Sequence, residues 1–163
     1  MTAARQTRKR QRRAAGALLS GILALLPAAK APATERIVVD WHTGLAIGGY
    51  DPVGFYTESK PVAGSPDIEY QYAGAVWRFR NVGNREAFAA HPDVYMPQFG
   101  GYDPVGVAHG IAVAGNPAIW LIASQRLFLF YDRDRLAAFV AAPQRMISAA
   151  EHQWPQLLRT LSP

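Results

Sequence analysis

The sequence predicts an α+β fold: duplicated hairpin-plus-short-helix units forming one compact pseudo-twofold domain, closed by a C-terminal helix. Three observations carry that expectation. The heptapeptide Gly48-Gly49-Tyr50-Asp51-Pro52-Val53-Gly54 returns unchanged as Gly100-Gly101-Tyr102-Asp103-Pro104-Val105-Gly106. Each copy is followed by two stretches rich in β-branched and aromatic residues around a short turn, the signature of a hairpin. Each pair of stretches is followed by a helical pattern that starts at Asn or Asp and stops at Pro.

The chain begins with an expected export signal at residues 1–33. Arg5, Arg8, Lys9, Arg10, Arg12 and Arg13 form a basic n-region without any acid, and the apolar h-region 14–26 follows directly. Pro27 ends the run, and Ala29-Lys30-Ala31 or Ala31-Pro32-Ala33 offers a small-residue cleavage site. Thirteen apolar residues fall short of the about 20 that a spanning helix needs. Membrane attachment is therefore expected only through an uncleaved signal. Arg12-Arg13 lacks the Ser or Thr before it and the Phe-Leu after it that twin-arginine export favours, so Sec export to the periplasm or the extracellular space is expected.

That signal also accounts for the charge. The 163 residues carry a net +5, but beyond residue 33 ten basic residues face twelve acidic ones. Nothing in the remaining domain argues for a phosphate backbone, and no nucleic-acid partner is expected. Zero cysteines exclude a disulfide scaffold, a thiolate metal site and a cysteine nucleophile. All seven Phe, seven Tyr and four Trp lie after residue 33, enough bulky apolar surface for a sizeable core.

Residues 34–47 read as a lead-in segment, 48–99 as the first unit and 100–163 as the second unit with the C-terminal helix. The repeat interval of 52 shortens to 51, so Val62-Ala63-Gly64-Ser65-Pro66 aligns with Val113-Ala114-Gly115-Asn116-Pro117, and Trp77, Phe79 and Phe88 align with Phe128, Phe130 and Phe139. In the first unit 68–72 and 76–80 flank Ala73-Gly74-Ala75; in the second, 119–122 and 127–131 flank Ser124-Gln125. The second hairpin is the more apolar and is expected to be the more central. Asn81 and Asp132 stand where N-caps belong, and Pro92 and Pro143 stop the two helices so begun. A third helix is expected to begin at Ser148, with Glu151 completing a capping box and Trp154-Pro155 breaking or kinking it. Neither unit alone has enough apolar surface to be stable, so the two are expected to form one domain.

The residues Gly49-Tyr50-Asp51-Pro52-Val53, Trp77-Arg78-Phe79, Asn84-Arg85 with Phe88, Tyr95-Met96-Pro97-Gln98-Phe99-Gly100-Gly101-Tyr102 and Trp154-Pro155 resemble the YHS-domain family of small exported bacterial proteins. The resemblance covers roughly residues 44–158. It implies metal binding or sensing, since related domains occur beside heavy-metal-transporting ATPases and in some monooxygenases. A transition metal ion is thus the cofactor it implies. The cysteine that follows Gly-Gly-Tyr in the family falls on Asp103, which replaces a soft thiolate by a hard oxygen donor.

Two readings of Asp51 and Asp103 stand side by side. Either they brace the turns before Pro52 and Pro104, the favoured reading, or they meet as a shared metal or acid–base pair. His109 is the best imidazole ligand, so the candidate metal set is Asp103, His109 and Asp51. His91 fits a structural place at a helix end, and His42, beside Trp41, and His152 fit surface or partner contacts. Tyr50, Tyr102 and Trp77 are candidate pocket residues for a flat ligand, weighed against an ordinary core role. No G-x-S-x-G elbow, P-loop or paired glycosidase acids occur, and no catalytic residue is assigned. The expected function is a non-enzymatic accessory, binding a ligand, a metal ion or a protein partner. The alternative is a cofactor- or metal-dependent enzyme with its site between the repeats.

Overall fold

The computed structural model describes residues 36–161, and the expected export signal lies outside them. From the lead-in segment the chain enters a 3-10 turn, Ile47–Gly49, and the short helix α1, Gly54–Thr57. Strands β1, Ser65–Tyr72, and β2, Ala75–Phe79, pair antiparallel and lead into α2, Val82–Ala90, and α3, Pro92–Tyr95. A second 3-10 turn, Gln98–Gly101, then opens the same series again. It continues as α4, Pro104–Ala108, strands β3, Asn116–Ala123, and β4, Arg126–Phe130, and α5, Arg133–Ala141; α6, Pro143–Thr160, ends it. Two separate two-stranded sheets combined with helices make this an α+β protein with a duplicated hairpin–helix unit.

The two units agree down to single hydrogen bonds. Asp51 N–H donates to Val62 O and Asp103 N–H to Val113 O, both at 2.8 Å; Gly64 N–H donates to Gly49 O and Gly115 N–H to Gly101 O, both at 2.9 Å. Both hairpins turn through two residues in the left-handed region, Ala73 and Gly74 at φ 52° and 78°, Ser124 and Gln125 at 50° and 60°. This is type I′ geometry, whose twist suits an antiparallel pair. Both hairpins also slip register at the same place, between Ser65 and Glu69 and between Asn116 and Trp120. There the chain passes so close to the opposite strand that only glycine fits. A Cβ on Gly64 would lie 2.5 Å from the Arg78 backbone, and one on Gly115 would lie 2.6 Å from the Leu129 side chain.

The second hairpin is indeed the central one. The side chains of β2 alternate between buried and half-buried, whereas four consecutive residues of β4, Leu127 to Phe130, are buried. Because successive side chains of a strand point to opposite faces, β4 serves two cores at once. Leu127 and Leu129 pack with Phe55, Trp77, Phe79 and Phe88 of the first unit. Phe128 and Phe130 pack with Val107, Phe139, Ile147 and Ala150 of the second.

Asn81 and Asp132 cap α2 and α5 as expected, each side chain accepting an N–H at 2.8 Å, from Asn84 and Arg135. The last helix differs from expectation. It starts at Pro143 rather than Ser148, because proline's fixed φ suits the first helical position, so Pro92 and Pro143 each open a new helix as well as closing one. Glu151 reaches Arg126 at 2.7 Å instead of completing a capping box. Pro155 does not end the helix, which runs on to Thr160. Among the described residues no helix is long and apolar enough to cross a membrane.

Candidate functional site

Asp51 and Asp103 are fully buried, and each carboxylate is surrounded by N–H donors. One oxygen of Asp51 accepts from Val53 N–H at 2.9 Å and Gly54 N–H at 3.3 Å; the other accepts from Arg80 N–H at 2.9 Å and the Asn84 side-chain amide at 2.6 Å. Asp103 repeats the pattern. Its Oδ1 accepts from Gly106 N–H at 2.6 Å and from the Arg135 guanidinium at 3.3 Å, and its Oδ2 accepts from Tyr131 N–H at 2.9 Å. Each aspartate thereby ties the Gly-Tyr-Asp-Pro turn to the end of its hairpin and to the first turn of the following helix. A buried charge is tolerable when its oxygens are satisfied in this way.

His109, the third candidate ligand, is an exposed residue just beyond α4, and its Nδ1 donates to Val105 O at 2.7 Å. Among the described residues no three His, Cys, Asp or Glu side chains gather where they could hold a metal ion. The donor set therefore does not fit the metal that the YHS resemblance implies: both carboxylates are enclosed by protein N–H groups and hidden from solvent.

The candidate pocket aromatics are distributed over the two cores. Trp77 is completely buried in the first and donates its indole N–H to Tyr72 O at 3.1 Å. Tyr50 packs on that same core, and Tyr102 on the second, with its ring 5.8 Å from that of Trp154. Burial pushes the Tyr102 hydroxyl above the ordinary tyrosine range, against the pull of nearby Arg36. His91, His152 and His42 are exposed. The His42 ring lies tilted against that of Trp41, which is 83% exposed on a loop held by the Asp40 carboxylate. Hydrogen bonds from Thr43 keep that carboxyl below its usual range.

An open cleft lies elsewhere, between α3, the turn that follows it and α6. It encloses about 250 Å³ and is lined by Asp93, Met96, Gln98, Phe99, Glu151 and Trp154. Met96 and Phe99 are buried, at 6% and 8% exposure, and Trp154 meets Phe99 edge-on at 5.7 Å. Phe99 adopts a left-handed backbone conformation, φ 55°, and the equivalent position of the first unit, Ile47, does so too at 44°. The 3-10 turn thus presents both as inward-facing side chains at a cost in backbone strain. Among the described residues the first unit has no such long wall, because its counterpart of α6 is α3, which begins at the aligned Pro92 but ends at Tyr95.

Compared with known proteins, the chain matches no family model, no curated protein and no solved structure. Sequence reasoning singled out Met96, Gln98, Phe99 and Trp154 as bearers of the family resemblance and missed that they share a cleft with Asp93 and Glu151. The available signal was the departure from the repeat: Pro97-Gln98 stands where the first unit has Leu45-Ala46.

Proposed function

We propose that this chain is an exported, non-enzymatic YHS-like module that binds a ligand or partner group in the cleft between α3 and α6. The observation that carries this reading is that residues bearing the family resemblance, Met96 to Phe99 and Trp154, line an open concavity at the edge of the two cores to which Met96 and Phe99 belong. The two aspartates are braces of the fold on this reading, and Asp103 fills by hydrogen bonding the place where the family has cysteine.

The test is a screen of small molecules against the isotopically labelled chain, read as backbone and indole resonance shifts. Shifts centred on Met96, Phe99 and Trp154 support the reading. Native mass spectra recorded with Cu(II), Zn(II) and Fe provide the opposing arm. One stoichiometric metal, retained by the parent chain and lost in a folded His109→Ala variant, would overturn the reading in favour of metal binding.

A further inference from the structure

The chemistry of the cleft narrows what it would hold. Its floor is aromatic and thioether surface from Phe99, Trp154 and Met96, while Asp93 on α3 and Glu151 on α6 each contribute a carboxylate, and among the described residues no Lys or Arg lines it. Asp93 is exposed, and Glu151 keeps half of its side chain exposed although it pairs with Arg126 at 2.7 Å. A surface pair of this kind is held weakly, so a ligand cation can compete with Arg126 for Glu151. Arg126 itself lies over the Phe128 ring, 5.6 Å from its centroid, and so already shows a cation between a carboxylate and an aromatic face beside the cleft.

Resting on the binding role just argued, we propose that the cleft takes a small organic cation, an ammonium or guanidinium group carried on an apolar body. Aromatic faces attract cations through their quadrupole, with most effect where water is thinned, and the two carboxylates supply the complementary charge. A phosphate- or carboxylate-bearing ligand would meet two like charges instead. The volume of about 250 Å³ sits just below the 300–1,000 Å³ of ligand pockets in general, which fits a ligand of about ten heavy atoms.

The experiment compares three probes of one shape and different charge on the full chain: phenethylammonium, 2-phenylethanol and phenylacetate. Binding is read from the Trp154 indole resonance, identified with Trp154→Phe, and from calorimetry. Phenethylammonium is expected to saturate one site and to bind at least tenfold more tightly than the alcohol, with phenylacetate weakest. The double variant Asp93→Asn/Glu151→Gln is expected to erase the preference of the ammonium over the alcohol, and unchanged chemical shifts elsewhere would show that it is folded. If the alcohol or phenylacetate binds in the cleft as well as the ammonium, or if the double variant keeps the preference, the cation inference falls while the cleft stands as a binding site. If none of the three probes shifts Trp154 and the wider screen also leaves the cleft untouched, both readings fall.

Discussion

Both oxygens of Asp51 and both of Asp103 accept a backbone N–H, which makes an amide a poor substitute for either carboxylate. Whichever way the side chain of Asp51→Asn or Asp103→Asn is turned, its NH2 group faces a backbone donor that is then left unsatisfied. Each substitution is expected to cost about 1–3 kcal/mol, measured by urea denaturation, and neither should alter phenethylammonium binding by the material that remains folded. A variant that lost ligand binding at full stability would contradict the bracing role. Tyrosines set a second expectation. Burial pushes Tyr56 and Tyr102 above their ordinary range, and the neutral Tyr56 hydroxyl donates to Val94 O at 2.9 Å. In the unfolded chain they ionise near pH 10, about the model-peptide value. Their contribution is therefore complete below about pH 10 and is lost as the pH climbs through the raised folded values. Stability should decline over that alkaline window, and Tyr56→Phe should flatten the decline in a denaturation series run from neutral to alkaline pH.

Among the elements, the hairpin turns and the strand crossings make opposite demands on the backbone. Ser124 and Gln125 occupy left-handed conformations that neither side chain favours. Replacing the pair by Asn-Gly, the residues that type I′ turns prefer, is expected to raise stability by about 0.5–1 kcal/mol in chemical denaturation. At Gly64 and Gly115 the demand is for space: a Cβ would collide with Arg78 or Leu129, so Gly64→Ala and Gly115→Ala should each cost about 1–3 kcal/mol. Equal losses in the two variants would reflect equal geometry in the two units. Most of this level is legible in the sequence, because caps, turn residues and the repeated heptapeptide act locally. The hairpins, Asn81 and Asp132 as caps, and the centrality of the second hairpin all follow from patterns a few residues long. What misleads is competition between local signals. Ser148 and Glu151 form a capping pattern, yet Pro143 starts the helix earlier, and Arg126, distant in sequence, takes the glutamate. The cleft escapes for the same reason: Asp93 and Glu151 lie 58 residues apart, and only the packing of α6 beside the second 3-10 turn puts them on one surface.

Over the whole molecule, the strand β4 decides whether the two units are separable. Its Leu127 and Leu129 belong to the core of the first unit, joined there by Trp120 and Ile122 of β3, with Trp120 edge-on to Phe55 at 5.3 Å. Its Phe128 and Phe130 belong to the core of the second. The first unit thus completes its core with residues that the chain supplies only after residue 119, although its own hairpin and helix are locally intact. A polypeptide ending at Phe99 would expose the surface of Phe55 that Trp120 covers, and it would have to meet the conformational entropy of about 60 residues with an unfinished core. It is expected to lack a cooperative thermal transition and protected amides, whereas the chain with both units should show one transition, coincident in far-ultraviolet and near-ultraviolet circular dichroism. Leu129→Ala, which removes a side chain 1% exposed, should cost about 2–5 kcal/mol and lower the protection of α2 and of α5 together in hydrogen exchange. Protection lost in α2 alone would mean that the units unfold independently, and β4 would then be a strand of the second unit against which the first merely rests.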